Sequence, residues 1–388
     1  MMLSEESCKA TLQHLIAASL ASGRGVTANE LIADLAVGDD LRNGPAALDS
    51  LDQLSVARRV AEFFELEKAG IEEWLLRRSS LDVWSRLVLE SLNNGAVTHL
   101  WFRSGGSSAE PGLISQPLSH LLKEADNLRE LVGSSKRIIA LVPLHHIYGF
   151  IWGPLLSSQM AVPLLHGPEA QAAAHNDLRS GDLLLGFPQW WRYFGGVRGR
   201  LPAGVSGVTS TAPCPPEYIE QVLACGLQTM IEVYGSSETA GIGWRDSTAG
   251  GYRLFRHWAR HGDHCLESDQ GNIVPLPDRV QWRTDRSLVP TGRRDNAVQV
   301  GGINVWPERV RAFIETHARV GCCTVRPMNT EQGTRLKVFV VPVGPAGKDL
   351  HSELRDWFRA GLPTAERPIH ITVGDQLPRD HLGKLCDW

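Results

Sequence analysis

Three short polar stretches sit in otherwise apolar sequence and hold residue types suited to chemistry on a nucleoside triphosphate. They are Ser104-Gly-Gly-Ser-Ser-Ala-Glu-Pro111, Tyr234-Gly-Ser-Ser-Glu-Thr239, and a C-terminal pair, Gly292-Arg-Arg-Asp295 and Leu382-Gly-Lys384. The first comes just after the apolar pair Trp101-Phe102. Its glycines, Gly105 and Gly106, let backbone N–H groups turn toward an anion, and the hydroxyls of Ser104, Ser107 and Ser108 add donors. The competing reading is a flexible surface loop, and no Gly-Lys-Ser/Thr follows to make it a Walker loop. The second stretch follows an apolar run ending at Val233. Ligands of open parallel sheets bind beyond the carboxyl ends of strands. There Glu238 can hold Mg²⁺, Ser236 and Ser237 can donate to a phosphate, and Tyr234 can lie against a flat base. A solvated β-turn is the plain alternative.

Weaker signals accompany these. His145-His146-Ile-Tyr-Gly-Phe150 comes after the apolar run Ile138 to Val142 and Pro143. Adjacent residues of an extended segment face opposite ways, so one histidine is expected to be structural. No Cys or Asp lies at ligand spacing from the pair, and no zinc is expected there. Asp285 suits both hydroxyls of a ribose, Arg293 adds a donor, and Lys384 suits the charge that builds up when a carboxylate attacks phosphorus.

These residues need elements to hold them. Up to about residue 76 the chain reads as helical, with Leu12, Leu15, Ile16 and Leu20 at helical intervals. A second stripe is Leu51, Leu54, Ala57, Val60 and Phe64, capped by Asp49 or Ser50. From Val97, short apolar runs (Ile138–Val142, Asp182–Gly186, Gly207–Ser210, Thr229–Val233) alternate with patterned helices at Leu118–Leu131 and Pro216–Cys225, as in an α/β domain. Short strands with many turn residues follow from Gly271 to Val289, and Gly292–Asp295 reads as a linker. A small α+β domain then follows, with a helix opening at Trp306-Pro307, an alternating strand Arg335–Val341 and a helix Asp349–Phe358. The expected domains are 1–76, 77–294 and 295–388.

Composition narrows the class. The 388 residues carry a formal net charge of −4, with 43% apolar and 21% charged residues, an ordinary globular balance with no electrostatic footprint for nucleic acid. No run is long and apolar enough to span a membrane, and the first residues lack the shape of a signal peptide. Seven scattered cysteines read as reduced thiols, and the expected location is the cytoplasm. Twelve tryptophans leave room for an aromatic-lined pocket.

In order and spacing over about residues 98–388 the motifs resemble those of the adenylate-forming superfamily of acyl- and aryl-CoA synthetases, peptide-synthetase adenylation domains and luciferases. The family's Thr-Ser-Gly-Ser-Thr-Gly-x-Pro-Lys loop corresponds to Ser104–Gly112, and its Tyr-Gly-x-Thr-Glu to Tyr234–Glu238. The resemblance implies an α/β fold with a trimmed large N-terminal domain and a small mobile C-terminal α+β domain. It implies ATP and Mg²⁺, with Glu238 as metal ligand. It also implies nucleotide contacts from Ser104, Gly106, Ser107, Ser108, Thr211, Ala212, Tyr234, Gly235, Ser236, Ser237, Asp285 and Arg293. His146 would stand between the acid pocket and the phosphates, and the pocket would be lined by His146, Phe150, Trp190, Trp191 and Gly235. Asp295 would be the hinge, Gly301 and Gly302 the thiol-facing turn, and Lys384 the adenylating lysine.

The activity implied is activation of a carboxylic acid to acyl-AMP and transfer to a pantetheine thiol of coenzyme A or a carrier protein. The compact form resembles short ligases of aryl-polyene and aromatic pigment pathways, which points to an aromatic, hydroxybenzoate-like acid. A long-chain or aliphatic acid is the alternative. Gly112 stands where the family has lysine, Ala109 where it has a third glycine, and Ser237 where it has threonine. A degenerate, non-catalytic scaffold therefore remains as a rival expectation. In the N-terminal part, Asp49-Ser50-Leu51 resembles the segment of acyl carrier proteins whose serine bears phosphopantetheine, although Asp-Ser is also a helix cap.

Overall fold

The computed structural model describes residues 2–103, 112–197, 199–330, 333–345, 347, 349–379 and 385–388. The chain divides into two compact units. The first spans the described residues to 103, then 113–276 and 280–290; the second holds 112, 277–279 and the described residues from 291 onward.

The first unit opens with helices, each started by local chemistry. Ser4 caps Glu5–Arg24 by accepting from the Ser7 N–H, with Glu5 and Glu6 in the positive first turn. Thr27 and Glu30 form a capping box at Ala28–Val37. Asp49, rather than Ser50, caps Ser50–Phe63 by accepting from the Asp52 N–H at 2.8 Å. Ser50 is the exposed first residue of that helix. The buried face of this helix differs from the expected stripe. Gln53, Val56, Ala57, Val60 and Phe63 are buried, while Leu51 is 77% and Leu54 52% exposed. Two helical stripes share Ala57 and Val60, and packing against Glu5–Arg24 selects the one containing Val56. Glu72–Arg77 and Leu81–Asn93 follow, and all these helices share one core with the sheet behind them.

Among the described residues that sheet has nine strands. Five are parallel and adjacent, in the spatial order Leu164–His166, Arg137–Ala140, Asp182–Gly186, Ser206–Thr209, Thr229–Ser236. Ala240–Arg245 and Tyr252–Leu254 continue it antiparallel, followed by Ser287–Arg293 and Asp278–Thr284. Successive residues of the parallel strands feed opposite cores. Ile138 and Leu183 join the cluster with the N-terminal helices, whereas Ile139 and Leu184 join Trp191, Phe194 and Val222 on the other face. Burial on both faces explains why these strands read as continuous apolar runs. The helices Gly167–Asn176, Pro188–Val197 and Pro216–Ala224 provide the crossovers that parallel strands require.

In the second unit a hairpin, Val298–Val300 with Ile303–Val305, precedes the helix Pro307–Ile314, whose proline occupies the first turn. Val320–Thr330, Gly333–Pro342 and His370–Val373 make a three-stranded sheet. Leu336, Val338 and Val340 pack there with Leu354 and Phe358 of the helix Leu350–Gly361. Strand alternation puts Cys323 inside and leaves Cys322 half-buried, and all seven cysteines are free thiols. Among the described residues no helix is long and apolar enough to cross a membrane.

Candidate active site

Four of the candidate segments meet at one edge of the parallel sheet. The strands end at Ala140, Gly186, Thr209 and Ser236. His145-His146, Trp190-Trp191, Thr211-Ala212 and Ser237-Glu238 each come within six residues after one of those ends. Residues far apart in the sequence are therefore gathered at the carboxyl edge, where strand ends leave a crevice.

Tyr234-Gly-Ser-Ser-Glu238 forms the end of the strand Thr229–Ser236 and most of a tight turn into Ala240–Arg245. The ladder shifts register between Tyr234 and Gly235, and Ser236 pairs with Ala240. Ala240 takes a left-handed φ of 56° to close the turn. Gly235 is obligatory here, since a Cβ on it would sit 2.2 Å from the Ala240 carbonyl oxygen. The Ser236 and Thr239 hydroxyls are 3.0 Å apart, and the Thr239 N–H donates to Ser236 Oγ at 3.3 Å. Gln116 Nε2 donates to the Ser237 carbonyl at 2.6 Å. Gln116 belongs to the strand Leu113–Pro117, which follows the Ser104–Gly112 segment. Glu238 is exposed and makes no ion pair with a described residue. Such a carboxylate at a strand-end turn suits a hydrated divalent cation. Tyr234 is half-buried, 5.4 Å from the ring of Tyr252. Beneath it the buried Glu232 holds Arg245 at 2.6 Å and accepts the Cys214 N–H at 2.9 Å, which ties the ends of neighbouring strands together.

The two histidine rings are not thrown to opposite sides as an extended pair would be: their centres lie 4.5 Å apart, because the chain turns into the helix Ile147–Phe150 directly after His146. His146 is solvent-accessible, yet it is hemmed in by protein. That desolvation, with the Arg59 guanidinium second, holds it below the usual imidazole range. His145 turns inward beside His14, at 6.5 Å between ring centres, and burial keeps it well below that range. His14 also donates structure, accepting the Leu144 N–H on Nδ1 at 3.4 Å. Tyr148 bridges two strand ends, its hydroxyl 3.1 Å from the Gly186 carbonyl and 3.0 Å from that of Val208.

Two expected pocket residues belong to cores instead. Phe150 is 2% exposed and packs edge-on against Phe63 and Phe102. Trp191 is fully buried, with its indole N–H donating to the Val208 carbonyl and its ring filling the space over Gly207. Both side chains are occupied by packing, because an aromatic at a strand end can turn either inward or toward the crevice. Trp190 is half-buried and stacks on Phe194 at 4.6 Å.

Asp285 lies in the turn between Asp278–Thr284 and Ser287–Arg293, exposed, 3.2 Å from Arg260 Nη1. With Ala259, Arg260, Gly262 and Arg286 it lines a surface depression of about 440 Å³. In the second unit Arg293 forks onto Asp295, with Nε at 3.1 Å and Nη2 at 2.7 Å, and the Asp295 carboxylate also accepts the Ala297 N–H. The hydrogen bonds from Arg293 hold the Asp295 carboxyl below its ordinary range. Gly301 and Gly302 make the two-residue turn of their hairpin at φ 59° and 84°, left-handed values suited to glycine. Ser104, Gly106, Ser107, Ser108, Ala109 and Lys384 lie outside the described residues. Gly112 is exposed.

Sequence reasoning gave no role to Gln116, Tyr148, His14 or Arg59. Their partners lie far along the chain, and no local spacing signals them. It named Thr211 without its most telling property, a φ of 80° on an exposed β-branched residue. Strain of that kind costs about 1–3 kcal/mol and gathers at functional sites.

No protein-family profile matches the chain. It is 35% identical over 384 residues to a 4-coumarate–CoA ligase of Halorhodospira halophila, covering 96% of this chain and 97% of that one. It is 33% identical to a 4-coumarate–CoA ligase of Rhodobacter capsulatus, over 96% of this chain and 98% of the relative. Among solved structures, the o-succinylbenzoate CoA synthetase of Bacillus subtilis superposes with a TM-score of 0.60 at 16% identity, over 74% of this chain and 67% of that one, which speaks for the fold. Both relatives match over nearly the whole of this compact chain. The protein belongs to the adenylate-forming superfamily and is an AMP-forming acid–thiol ligase.

Proposed function

We propose that the protein uses Mg·ATP to activate an aromatic carboxylic acid and passes the acyl group to the thiol of coenzyme A, with a hydroxyphenyl acid such as 4-coumarate as substrate. The observation that carries this reading is the Tyr234–Glu238 turn at the carboxyl edge of the parallel sheet, braced by Gln116 from the strand after the phosphate-loop segment. Near full-length similarity to proteins named 4-coumarate–CoA ligase supports the choice of acid and of thiol.

In the first half-reaction a carboxylate oxygen forms a bond to the α-phosphorus and the bond to pyrophosphate breaks. Glu238 would hold the cation, which screens phosphate charge when bound. The hydroxyls of Ser236 and Ser237 lie in the same turn for the phosphate, and Tyr234 offers a face for adenine. The lowered basicity of His146 leaves its imidazole neutral, so it can meet the acid's ring or carbonyl without an added charge. Asp285 would take the ribose hydroxyls, joined by Arg293. Lys384 and the Ser104–Ser108 donors would neutralise charge as it develops. In the second half-reaction the thiol sulfur attacks the acyl carbon, AMP departs, and the thiol proton passes to solvent. Gly301-Gly302 would face that thiol, and Asp295 would be the pivot between the two steps.

Acid-dependent ATP–pyrophosphate exchange tests this directly. The panel should contain 4-coumarate, 4-hydroxybenzoate and aliphatic acids, with coenzyme A and an aryl carrier protein supplied in turn as acceptor. Strongest exchange with a hydroxyphenyl acid and thioester formation on coenzyme A are expected. Preference for a fatty acid would overturn the aromatic assignment, and a thioester formed only on the carrier protein would overturn the assignment of coenzyme A.

A further inference from the structure

Away from the nucleotide motifs, the helix Leu118–Leu131 carries His120 and Glu124 four residues apart, on one face. His257, between the strands Tyr252–Leu254 and Trp258–His261, meets them there. One ligand atom from each of the three lies within 4.8 Å of the others. The imidazole rings of His120 and His257 stand edge to face at 5.0 Å. Glu124 is 1% and His257 4% exposed.

The hydrogen-bond accounting around this cluster does not close. Nε2 of His120 and Nε2 of His257 are both buried without a partner. Glu124 spends one oxygen on the Gly241 N–H at 2.8 Å, and that single bond leaves a carboxyl group buried in an apolar setting. Burial therefore pushes its pKa up to about 7. Orphaned buried polar atoms each cost about 1–3 kcal/mol, and two imidazole nitrogens converging with a carboxylate are what a cation requires.

We propose that His120, Glu124 and His257 form a site for a divalent transition-metal ion, zinc by ligand type. Two nitrogens and one oxygen suit zinc better than magnesium or calcium, which take oxygen ligands. With metal–ligand bonds of about 2.0–2.2 Å, tetrahedral ligand atoms lie roughly 3.4 Å apart. From separations of up to 4.8 Å the ligand atoms would close by up to about 1.4 Å and leave the fourth position to water. Glu124 binds as carboxylate and gives up its proton to solvent. Asn127 Nδ2 donates to His257 Nδ1 at 3.1 Å and to the Lys123 carbonyl at 2.9 Å; metal binding at Nε2 puts the ring proton on Nδ1, so the Asn127 amide would turn its oxygen to the ring and give up the Lys123 bond.

The location gives the ion a purpose. Glu124 already holds Gly241, and Gly241 pairs with Gly235 in the Tyr234–Glu238 hairpin. The metal would fix that hairpin from behind, as a structural clamp distinct from the Mg²⁺ at Glu238.

The test is Co²⁺ and Zn²⁺ binding to the full chain, without nucleotide. About one equivalent should bind with Kd below ~1 µM, with cobalt d–d absorption typical of four-coordinate nitrogen and oxygen ligation. Zn²⁺ in excess should raise the melting temperature by mass action. His120→Gln, at a half-buried position, should fold, weaken binding by at least ~100-fold and abolish the melting shift. Neither metal binding tighter than ~100 µM would overturn the proposal and leave a water in the site. Equal binding by wild type and His120→Gln would overturn it too, because the ion would then sit on other histidines or thiols. Ligase activity enters neither readout.

Discussion

Single residues decide whether the Tyr234–Glu238 turn can form. Gly235 has the Ala240 carbonyl oxygen 2.2 Å from where a Cβ would stand and Gly241 Cα at 3.0 Å. Neither neighbour can yield, because both are backbone in a paired strand. Gly235→Ala should therefore lower stability by about 1–3 kcal/mol and depress acid-dependent pyrophosphate exchange more than that loss explains, since the turn carries Glu238 and Ser237. Thermal melting alongside the exchange assay checks both halves. An alanine variant equal to wild type in both would mean that the hairpin does not need this close approach. The glycine was legible in the sequence because its neighbours in the motif are local. The fate of the aromatics was not: nothing near Trp191 or Phe150 in sequence says that Val208, Phe63 and Phe102 occupy their faces.

At the scale of elements, the helix Glu5–Arg24 meets the segment after the strand Arg137–Ala140 through histidine. His14 lies against His145 and His166, at 6.5 and 5.3 Å between ring centres, and Arg59 adds positive potential at His145. Burial first, then the neighbouring imidazoles, pushes His14 down to about 3. The folded pKa is thus below the unfolded value of about 6.5. Above that value both states are neutral and stability is unaffected. As pH falls below it the unfolded chain takes up a proton that the folded chain refuses. Stability then drops by about 1.4 kcal/mol per pH unit for each such histidine, until pH reaches the folded pKa. Denaturant midpoints should fall from pH 7 to pH 5, and His14→Gln should show a shallower slope whatever its absolute stability. An unchanged slope would mean that His14 is not held neutral. Sequence periodicity placed the helix correctly, but its contact with the histidine pair depends on residues 130 positions apart.

For the whole molecule, residues assigned to chemistry are distributed over both units, with Glu238 and Asp285 in the first and Arg293 and Asp295 in the second. The assignment of Lys384 to adenylate formation makes a prediction that separates the two half-reactions. Lys384→Ala should slow pyrophosphate exchange by at least ~100-fold. Thioester formation from synthetic acyl-adenylate should continue near the wild-type rate, because no phosphorus is attacked in that step. Equal loss in both assays would remove the lysine from its role. The sequence alone determined the order of the nucleotide motifs, the alternation of buried strands with helices, and hence the superfamily. Such features are local: a polar turn at a strand end and a run buried on both faces each dictate residue types a few positions apart. Only the tertiary structure decided that Val56, not Leu51 and Leu54, faces the core, that Trp191 is packing, and that Gln116 braces Ser237. It also brought His120 and Glu124 to His257. Burial and proximity across more than a hundred residues come from how helices and sheet close on one another, and the chain records no local trace of them.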